Sequence, residues 1–465
     1  MRPSFAFALA FTLSGCGFTG EPIFAGRRIP DVAPWEDLAP LTICDGTRRI
    51  GPLADGPLGV CEASGDGSAC TLDADCRSRE RCVCGRCAIA VCDTGEECGA
   101  SSDKLHVCTF GERRCDRTCT TDAGCAAGES CVPGKSVCRG TCSTSDDCQA
   151  GETCQTSTGL CIANPCEDDS SCFGGRRCAL ERIPAALAEP SPLVDGDRLT
   201  MWLERTDPMG TPAVWRATSR DGLTFTFDPP NAIVDGRAPS VVKSGAGYLM
   251  LYGAPSASSV LRASSPDGIT FAPDAQPALA AAQSPSLVQL YDGSYAAYFA
   301  IPGGPDGPGG PGVGRATSRD GVTFDLQPDV LSPAQVSDPV LWRDVDRISS
   351  PFAQALLGVD GKPFVRLWFS AHGTESASSM QFGETLPTPP DFSIGEAAAG
   401  DGATFQPYPF NPVFDRVLEF LTHPSELDPA VVPFHDQWLL FYRRAAADGT
   451  KSENLAVARS PAQPE

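Results

Sequence analysis

Short apolar segments recur along residues 179–465, separated by polar turn sequences, in units of about 45–50 residues. Each unit contains an apolar segment that begins just after a proline, followed by a second segment rich in aromatic residues. In the first three units a Ser-x-Asp-Gly-x-Thr-Phe string comes next, as in Ser219–Phe225; the fourth unit has the weakened copy Asp401–Phe405 and the fifth a truncated one. Asp-Gly favours a tight turn because glycine tolerates a positive φ. The prolines that open the units are Pro190, Pro239, Pro285, Pro339 and Pro429. Five units of about four strands each predict an all-β, five-bladed β-propeller over residues 179–465.

Two units depart from the average. The fourth runs from Pro339 to Pro429 with one aromatic strand and one Asp-Gly pair, so we expect two insertions, near residues 345–360 and 376–390. The fifth unit stops after its third strand. The segment Cys178–Leu187 has no other sheet to join, and we predict that it pairs with the fifth blade as an outer strand that closes the ring.

The first part of the chain is a different kind of structure, because all 23 cysteines lie between Cys16 and Cys178. Spacings of five, five and six residues occur twice, in Cys119, Cys125, Cys131 and Cys138 and in Cys142, Cys148, Cys154 and Cys161. Units of about 23 residues cannot bury a stable apolar core, so covalent links must replace it. We predict disulfide-rich repeats over residues 44–178, whose pairing the sequence leaves open. Zinc bound at the Cys82–Cys87 string is the alternative.

The N-terminus has the features of a signal peptide. Arg2 precedes an apolar run that is too short to span a bilayer. The run ends in Leu13-Ser14-Gly15-Cys16, which resembles the lipobox of bacterial lipoproteins. The resemblance implies that residues 1–15 are removed, that lipid such as palmitate is attached at Cys16, and that the protein is anchored in the outer membrane or at the cell surface. The Pro-rich residues 16–43 are typical of a tether.

Residues 185–465 resemble the five-bladed propellers of glycoside hydrolase families 43 and 32. The similarity lies in the opening Asp-Pro strand, the aromatic second strand and the segment from Phe392 to Gly402. It implies a cavity at one end of the propeller, lined by the residues that open each innermost strand, and sugar as the usual ligand class. The cysteine spacing similarly resembles Dickkopf-type modules and the cysteine-rich repeats of myxobacterial surface proteins.

Glycoside hydrolysis needs two carboxyl groups that face each other across the sugar. The candidate catalytic residues, each at or near the start of an innermost strand, are Glu189, Asp338, Glu426 and Asp428. We expect them to converge on one mouth of the propeller and to raise at least one carboxyl pKa by mutual repulsion. Trp342 could stack on a sugar ring and His423 could add a polar contact, which makes both candidate substrate-binding residues. Aspartate before proline also closes turns, which is the structural alternative for Asp338 and Asp428.

Composition narrows the function classes. The net charge of −22 argues against a nucleic-acid partner, because phosphate binding needs a basic surface. The four histidines show no paired metal spacing, and we expect neither a metal nor a cofactor. The first unit has Glu189 where the family usually has aspartate, and the third has Ser284. Three functions therefore stay open: a glycan-binding surface lipoprotein, a glycoside hydrolase and a protein-interaction propeller.

Overall fold

The computed structural model describes residues 35–461 outside a set of loops and stretches. These are 46–47, 52–58, 63–69, 71–79, 85, 90–105, 110–113, 118, 126, 133–136, 145–146, 149–151, 164, 167–176, 181, 208, 246, 256–257, 304–310, 339–341, 359, 376–390, 415–424 and 446–451. Among the described residues no helix is long and apolar enough to cross a bilayer.

The strands before the first blade are β1 (Glu36–Pro40), β2 (Thr42–Asp45), β3 (Arg48–Gly51), β4 (Gly59–Glu62), β5 (Glu80–Val83), β6 (Arg86–Ile89), β7 (His106–Thr109), β8 (Arg114–Arg117), β9 (Glu129–Val132), β10 (Val137–Gly140), β11 (Glu152–Gln155), β12 (Leu160–Ala163), β13 (Pro165–Cys166), β14 (Arg177–Leu180) and β15 (Arg182–Pro184). A 3-10 turn covers Asp122–Gly124.

The strands that follow are β16 (Ala186–Asp195), β17 (Arg198–Thr206), β18 (Pro212–Ser219), β19 (Thr224–Phe227), β20 (Val234–Asp235), β21 (Arg237–Ser244), β22 (Gly247–Gly253), β23 (Val260–Ser265), β24 (Ala272–Pro273), β25 (Gln283–Gln289), β26 (Tyr295–Ala300), β27 (Val313–Ser318), β28 (Asp325–Leu331), β29 (Trp342–Leu357), β30 (Pro363–Glu375), β31 (Asp391–Ala399), β32 (Gln406–Pro407), β33 (Ser425–Phe434), β34 (Gln437–Ala445) and β35 (Ser452–Pro461). One short helix, α1 (Pro333–Val336), precedes β29.

Five antiparallel blades confirm the predicted propeller. Blades 1 to 4 are β16–β19, β21–β24, β25–β28 and β29–β32, and blade 5 is β33–β35 completed by β1. The Ser-x-Asp-Gly strings form the turns after the third strand. In blade 2 the Asp267 carboxylate accepts hydrogen bonds from the backbone N–H groups of Ile269 and Thr270, at 2.9 and 2.8 Å. Gly268 has a φ of 71°, as the turn requires.

A ring of five strained residues marks where each inner strand is interrupted by a bulge. The residue before the proline has a positive φ in every blade, which is unusual for a residue other than glycine. These residues are Glu189, Ala238, Ser284, Ser350 and Asp428, with φ between 42° and 58°. We call them the bulge ring. Repetition of the same strained geometry in all five blades shows that it belongs to the blade architecture.

The fourth member of the ring corrects the sequence prediction. It is Ser350, before Pro351, and not Asp338. Asp338 forms an isolated bridge with Trp342, upstream of the bulge. The expected insertion at 345–360 is also wrong, because those residues belong mostly to β29 itself. The second expected insertion, 376–390, lies outside the described residues.

Serine side chains link neighbouring inner strands. In three successive blades the second residue after the ring position is a serine whose hydroxyl accepts a backbone N–H of the next blade. The pairs are Ser191 with Val241 at 3.0 Å, Ser240 with Leu287 at 2.7 Å and Ser286 with Ala353 at 2.7 Å. The bonds hold the inner strands of blades 1 to 4 in register around the axis.

The ring of blades is closed by strand β1, and not by the segment Cys178–Leu187 that we predicted. Strand β1 pairs with β35, from Glu36 against Arg459 to Pro40 against Ala456. Of the segment expected there, residues 182–184 pair with β3 and residues 186–187 already belong to the inner strand of blade 1. The expected tether over residues 16–43 is therefore wrong from Glu36 onward.

The same N-terminal segment crosses from blade 5 to blade 1. After β1 pairs with blade 5, β2 pairs in parallel with β19 of blade 1. Leu41 and Ile43 are buried, 3% and 1% exposed, in a core that both blades share. We call residues 36–45 the clasp. A disulfide from Cys44 to Cys84 joins the clasp to the cysteine-rich region.

The two clearest cysteine repeats have the same disulfide pairing. The first cysteine of each bonds the third and the second bonds the fourth: Cys119–Cys131, Cys125–Cys138, Cys142–Cys154 and Cys148–Cys161. These bonds confirm the predicted disulfide-rich region. The Cys44–Cys84 bond also removes one of the three thiolates of the proposed zinc string.

Candidate functional site

Two of the predicted carboxyl groups meet at the seam between blades 5 and 1. Ser350 lies between them, with its hydroxyl oxygen 2.7 Å from Asp428 Oδ1 and 3.2 Å from Glu189 Oε1. The Ser284 hydroxyl donates a second hydrogen bond to Glu189 Oε1, at 2.6 Å. Four members of the bulge ring thus contact one another across the propeller axis, because the bulge turns their side chains toward a common point.

Asp428 is the buried member of the pair. Asp428 is 2% exposed. Its Oδ2 atom accepts hydrogen bonds from Arg443 Nε at 2.5 Å and from the Glu189 backbone N–H at 3.4 Å. The Asp428 backbone N–H in turn donates to the Ser370 hydroxyl oxygen, at 3.0 Å. Both carboxylate oxygens are therefore occupied by partners within the protein.

Glu189 has the opposite character. It is partly exposed, and among the described residues nothing bonds its second oxygen, Oε2. Burial and the nearby Asp428 charge raise the pKa of Glu189 to about 8, although the hydrogen bond from Ser284 opposes the rise. At neutral pH Glu189 is thus mainly a neutral carboxylic acid, which can donate as well as accept a hydrogen bond.

Glu204 and Arg443, which the sequence analysis missed, complete the charged cluster. They occupy equivalent places on the second strands of blades 1 and 5, opposite the residue just before the ring position. Glu204 Oε2 accepts the Ala238 backbone N–H at 3.3 Å. Burial raises the pKa of Glu204, and the Arg237 charge opposes this rise. A sequence feature that could have identified both residues is a charged residue directly after the aromatic segment, as in Trp202-Leu203-Glu204 and Phe441-Tyr442-Arg443.

The other predicted site residues do not join this cluster in the described structure. Asp338 is not in the bulge ring, because Ser350 occupies the blade-4 position there. Trp342 is 0% exposed and stacks on Phe369, with ring centroids 6.4 Å apart, so it offers no face to a sugar. The side chain of Glu426 and the whole of His423 lie outside the described residues, and their roles stay predictions.

The cluster is poorly suited to a cation, because the Arg443 guanidinium already occupies the space beside Asp428. Elsewhere in the described part of the chain, groups of three potential metal ligands close enough to share an ion occur in the two cysteine repeats. The cysteines concerned are bonded in disulfides.

Comparison with known proteins gives structural similarity at low sequence identity. No family model and no curated protein matches the chain. A solved glycosyl hydrolase from Bacteroides ovatus is 16% identical with a TM-score of 0.41, and the match covers 61% of this chain and 87% of that one. A putative glycosidase from Bacteroides thetaiotaomicron is 18% identical, with a TM-score of 0.42 and coverage of 60% and 87%. A thermostable family-43 glycoside hydrolase is 14% identical, with a TM-score of 0.42 and coverage of 60% and 95%.

Proposed function

We propose that the propeller binds a glycan at the bulge ring, with Glu189 as the central contact. The observation that carries the proposal is the partly exposed Glu189 carboxyl, held by two serine hydroxyls and raised in pKa to about 8. A neutral carboxylic acid suits a sugar, because each sugar hydroxyl is itself a donor and an acceptor. The resemblance of residues 185–465 to sugar-processing propellers supports the same ligand class.

Binding without turnover is the better-supported form of this proposal. A hydrolase needs a second carboxylate that can attack the sugar or activate a water molecule. Asp428 is 2% exposed and its charge is paired with Arg443, so the structure gives a sugar or a water molecule little access to its carboxylate. Its contacts instead hold Ser350 and the Glu189 backbone in place.

Hydrolysis is the second candidate, and the raised pKa of Glu189 favours it. A carboxyl that keeps its proton near pH 7 is what a general acid requires. Glu204 would then have to act as the second carboxyl. An inverting arrangement of Glu189 with Asp428 is disfavoured, since a single serine hydroxyl bonds both groups and the inverting separation is roughly 6.5–9.5 Å.

A glycan-array screen of the purified protein, followed by calorimetric titration of the hits, tests the proposal. We expect Glu189→Ala to weaken binding by about tenfold or more, since a buried or half-buried polar contact contributes roughly 1–3 kcal/mol. The same glycans, incubated with wild type and Glu189→Gln, separate the two candidates. A hydrolase loses roughly 10²–10⁴-fold in rate when its general acid is removed, whereas a binder releases no sugar in either form. Equal affinity of wild type and Glu189→Ala for every hit would overturn the site.

We further propose that the chain is exported and anchored by lipid at Cys16, which presents the propeller at the outer membrane or cell surface. The Leu13–Cys16 string supports the anchor. The disulfides support export, because such bonds persist in oxidising compartments.

A further inference from the structure

Blade 4 extends further past the bulge ring than the other blades do in the described part of the chain. Strands β29 and β30 stay paired as far as Trp342 against Glu375, eight residues before Ser350. In the other four blades the pairing of the first two strands ends one to three residues before the ring. We call residues 342–349 and 371–375 the blade-4 extension.

One face of this extension continues the face that contacts Asp428. On β30, Trp368 packs in a core shared with blade 5 and the Ser370 hydroxyl accepts the Asp428 backbone N–H. Side chains two residues apart on a strand point to the same side, so His372 follows Ser370 on this face. The step along the strand is about 7 Å. The register shifts between Arg343 and Arg347 and again between Ser349 and Phe352, but from Arg347 to Ser349 it is unbroken, with Ser349 opposite Ser370 and Arg347 opposite His372.

His372 is held in a defined orientation on that face. Its Nδ1 atom lies 2.8 Å from Asp346 Oδ1, and its ring centroid is 5.1 Å from that of Phe392. A carboxylate can only accept a hydrogen bond, so Nδ1 carries the hydrogen, and in the neutral ring Nε2 is an acceptor. The side chain remains 15% exposed.

Arg347 supplies the complementary donor. Its Nε atom donates to the same Asp346 oxygen at 3.3 Å, and its guanidinium carbon lies 5.5 Å from the centre of the Phe392 ring. The side chain is 30% exposed. One carboxylate and one aromatic ring thus fix an acceptor and a donor side by side, on the same strand face as Ser370.

We propose that this pair, His372 and Arg347, forms a second sugar subsite, so that the site takes an oligosaccharide rather than a single sugar. The inference rests on the proposed function. Two neighbouring hydroxyls of one sugar ring match the pair, one donating to His372 Nε2 and the other accepting from the Arg347 guanidinium. The first sugar unit contacts Glu189, and the next unit lies toward the blade-4 extension. His372 then determines how much a second unit adds to affinity.

The test measures affinity against ligand length. Gluco-, manno-, xylo- and arabino-oligosaccharides of one, two and three units are titrated into the wild-type protein by calorimetry. We expect a gain in affinity from one unit to two in the series that binds. His372→Ala should reduce this gain by about tenfold, the loss of one hydrogen bond, and leave the affinity for the single sugar unchanged. His372→Gln should restore part of the gain, because the amide oxygen can accept the same hydrogen bond.

The matched control is His435→Asn. His435 lies in the turn that follows β33, whereas Asp428 lies near the other end of that strand. Its φ is positive, and asparagine tolerates this conformation. This variant should keep the full length dependence. If sugars bind but the gain is absent in wild type, or survives in His372→Ala, the second subsite is wrong and the proposed function stands. If wild type binds no saccharide of any length or series, the proposed function is wrong and the subsite falls with it.

Discussion

Replacing Glu189 with glutamine should remove a specific pH dependence of folding stability. The pKa of Glu189 is about 8 in the folded protein, against 4.5 as its ordinary value. Between these values the folded state keeps a proton that the unfolded state has lost, so the free energy of unfolding falls as pH rises. The stabilising effect is complete below about pH 4.5 and is lost as pH approaches 8.

The size of this change in the free energy of unfolding follows from the uptake of one proton. The slope reaches about 1.4 kcal/mol per pH unit, which gives about 3 kcal/mol between pH 5 and pH 7.5. The figure is an upper bound, because solvent reaches part of the Glu189 side chain and screens its interactions. Glutamine keeps the shape and the accepting oxygen for Ser284 and Ser350 but cannot ionise. Relative to wild type, Glu189→Gln should therefore gain stability as pH rises.

Urea unfolding followed by tryptophan fluorescence at four pH values from 5 to 7.5 measures the difference. Asp267→Asn is the control, because the turn lowers the pKa of Asp267 to about 2 and the group is ionised in both states throughout this range. Its curve should stay parallel to that of wild type. If the free energy of unfolding depends on pH in the same way for wild type and Glu189→Gln, the raised pKa of Glu189 is refuted, and with it the neutral Glu189 carboxyl in the bulge ring.

Other predictions concern the clasp, the buried ion pair, the cysteines and the anchor. Ile43→Ala should cost about 2–5 kcal/mol of propeller stability, visible as a lower unfolding midpoint, because Ile43 is buried between blades 5 and 1; an unchanged midpoint would contradict the clasp. Arg443→Met should destabilise by about 3–5 kcal/mol, since it leaves Asp428 buried without its partner, and Arg443→Met with Asp428→Asn should recover part of this loss in the same assay. Thiol titration of the denatured, unreduced mature protein should find no free thiol, because Cys16 carries lipid on its sulfur and the other 22 cysteines pair in disulfides, and several free thiols would contradict this. Cys16→Ser should move the protein from the membrane pellet to the soluble fraction, and a variant that stays in the pellet would contradict the anchor.

The sequence alone was enough to predict five blades and a separate disulfide-rich region. Both are repeats, and a repeat reveals itself through local spacing: proline before an apolar strand, aromatic residues on the second strand, and Asp-Gly at the turn. The prediction of Glu189 and Asp428 as site residues also came from this repeat. Each lies directly before an opening proline, and the bulge at that position places both at the axis.

Tertiary structure decided which of two similar dipeptides opens blade 4. Asp338-Pro339 and Ser350-Pro351 both precede apolar residues, and Asp338-Pro339 matches the expected Asp-Pro opening. The pairing of β29 with β30 places the bulge at Ser350 and leaves Trp342 in the core. Local sequence does not contain this information, because the register depends on the partner strand.

Ring closure and the charged cluster depended on contacts between distant parts of the chain. Glu36 pairs with Arg459 across most of the sequence, and no local pattern distinguishes β1 from the other short segments before blade 1. The same closure brings blade 5 against blade 1 and sets the Arg443–Asp428 ion pair beside Glu189. Sequence thus determined the repeating unit, whose strands and turns form from neighbouring residues. Only the closed ring of blades decided which side chains share the axis, and with them the burial and the neighbouring Asp428 charge that raise the pKa of Glu189.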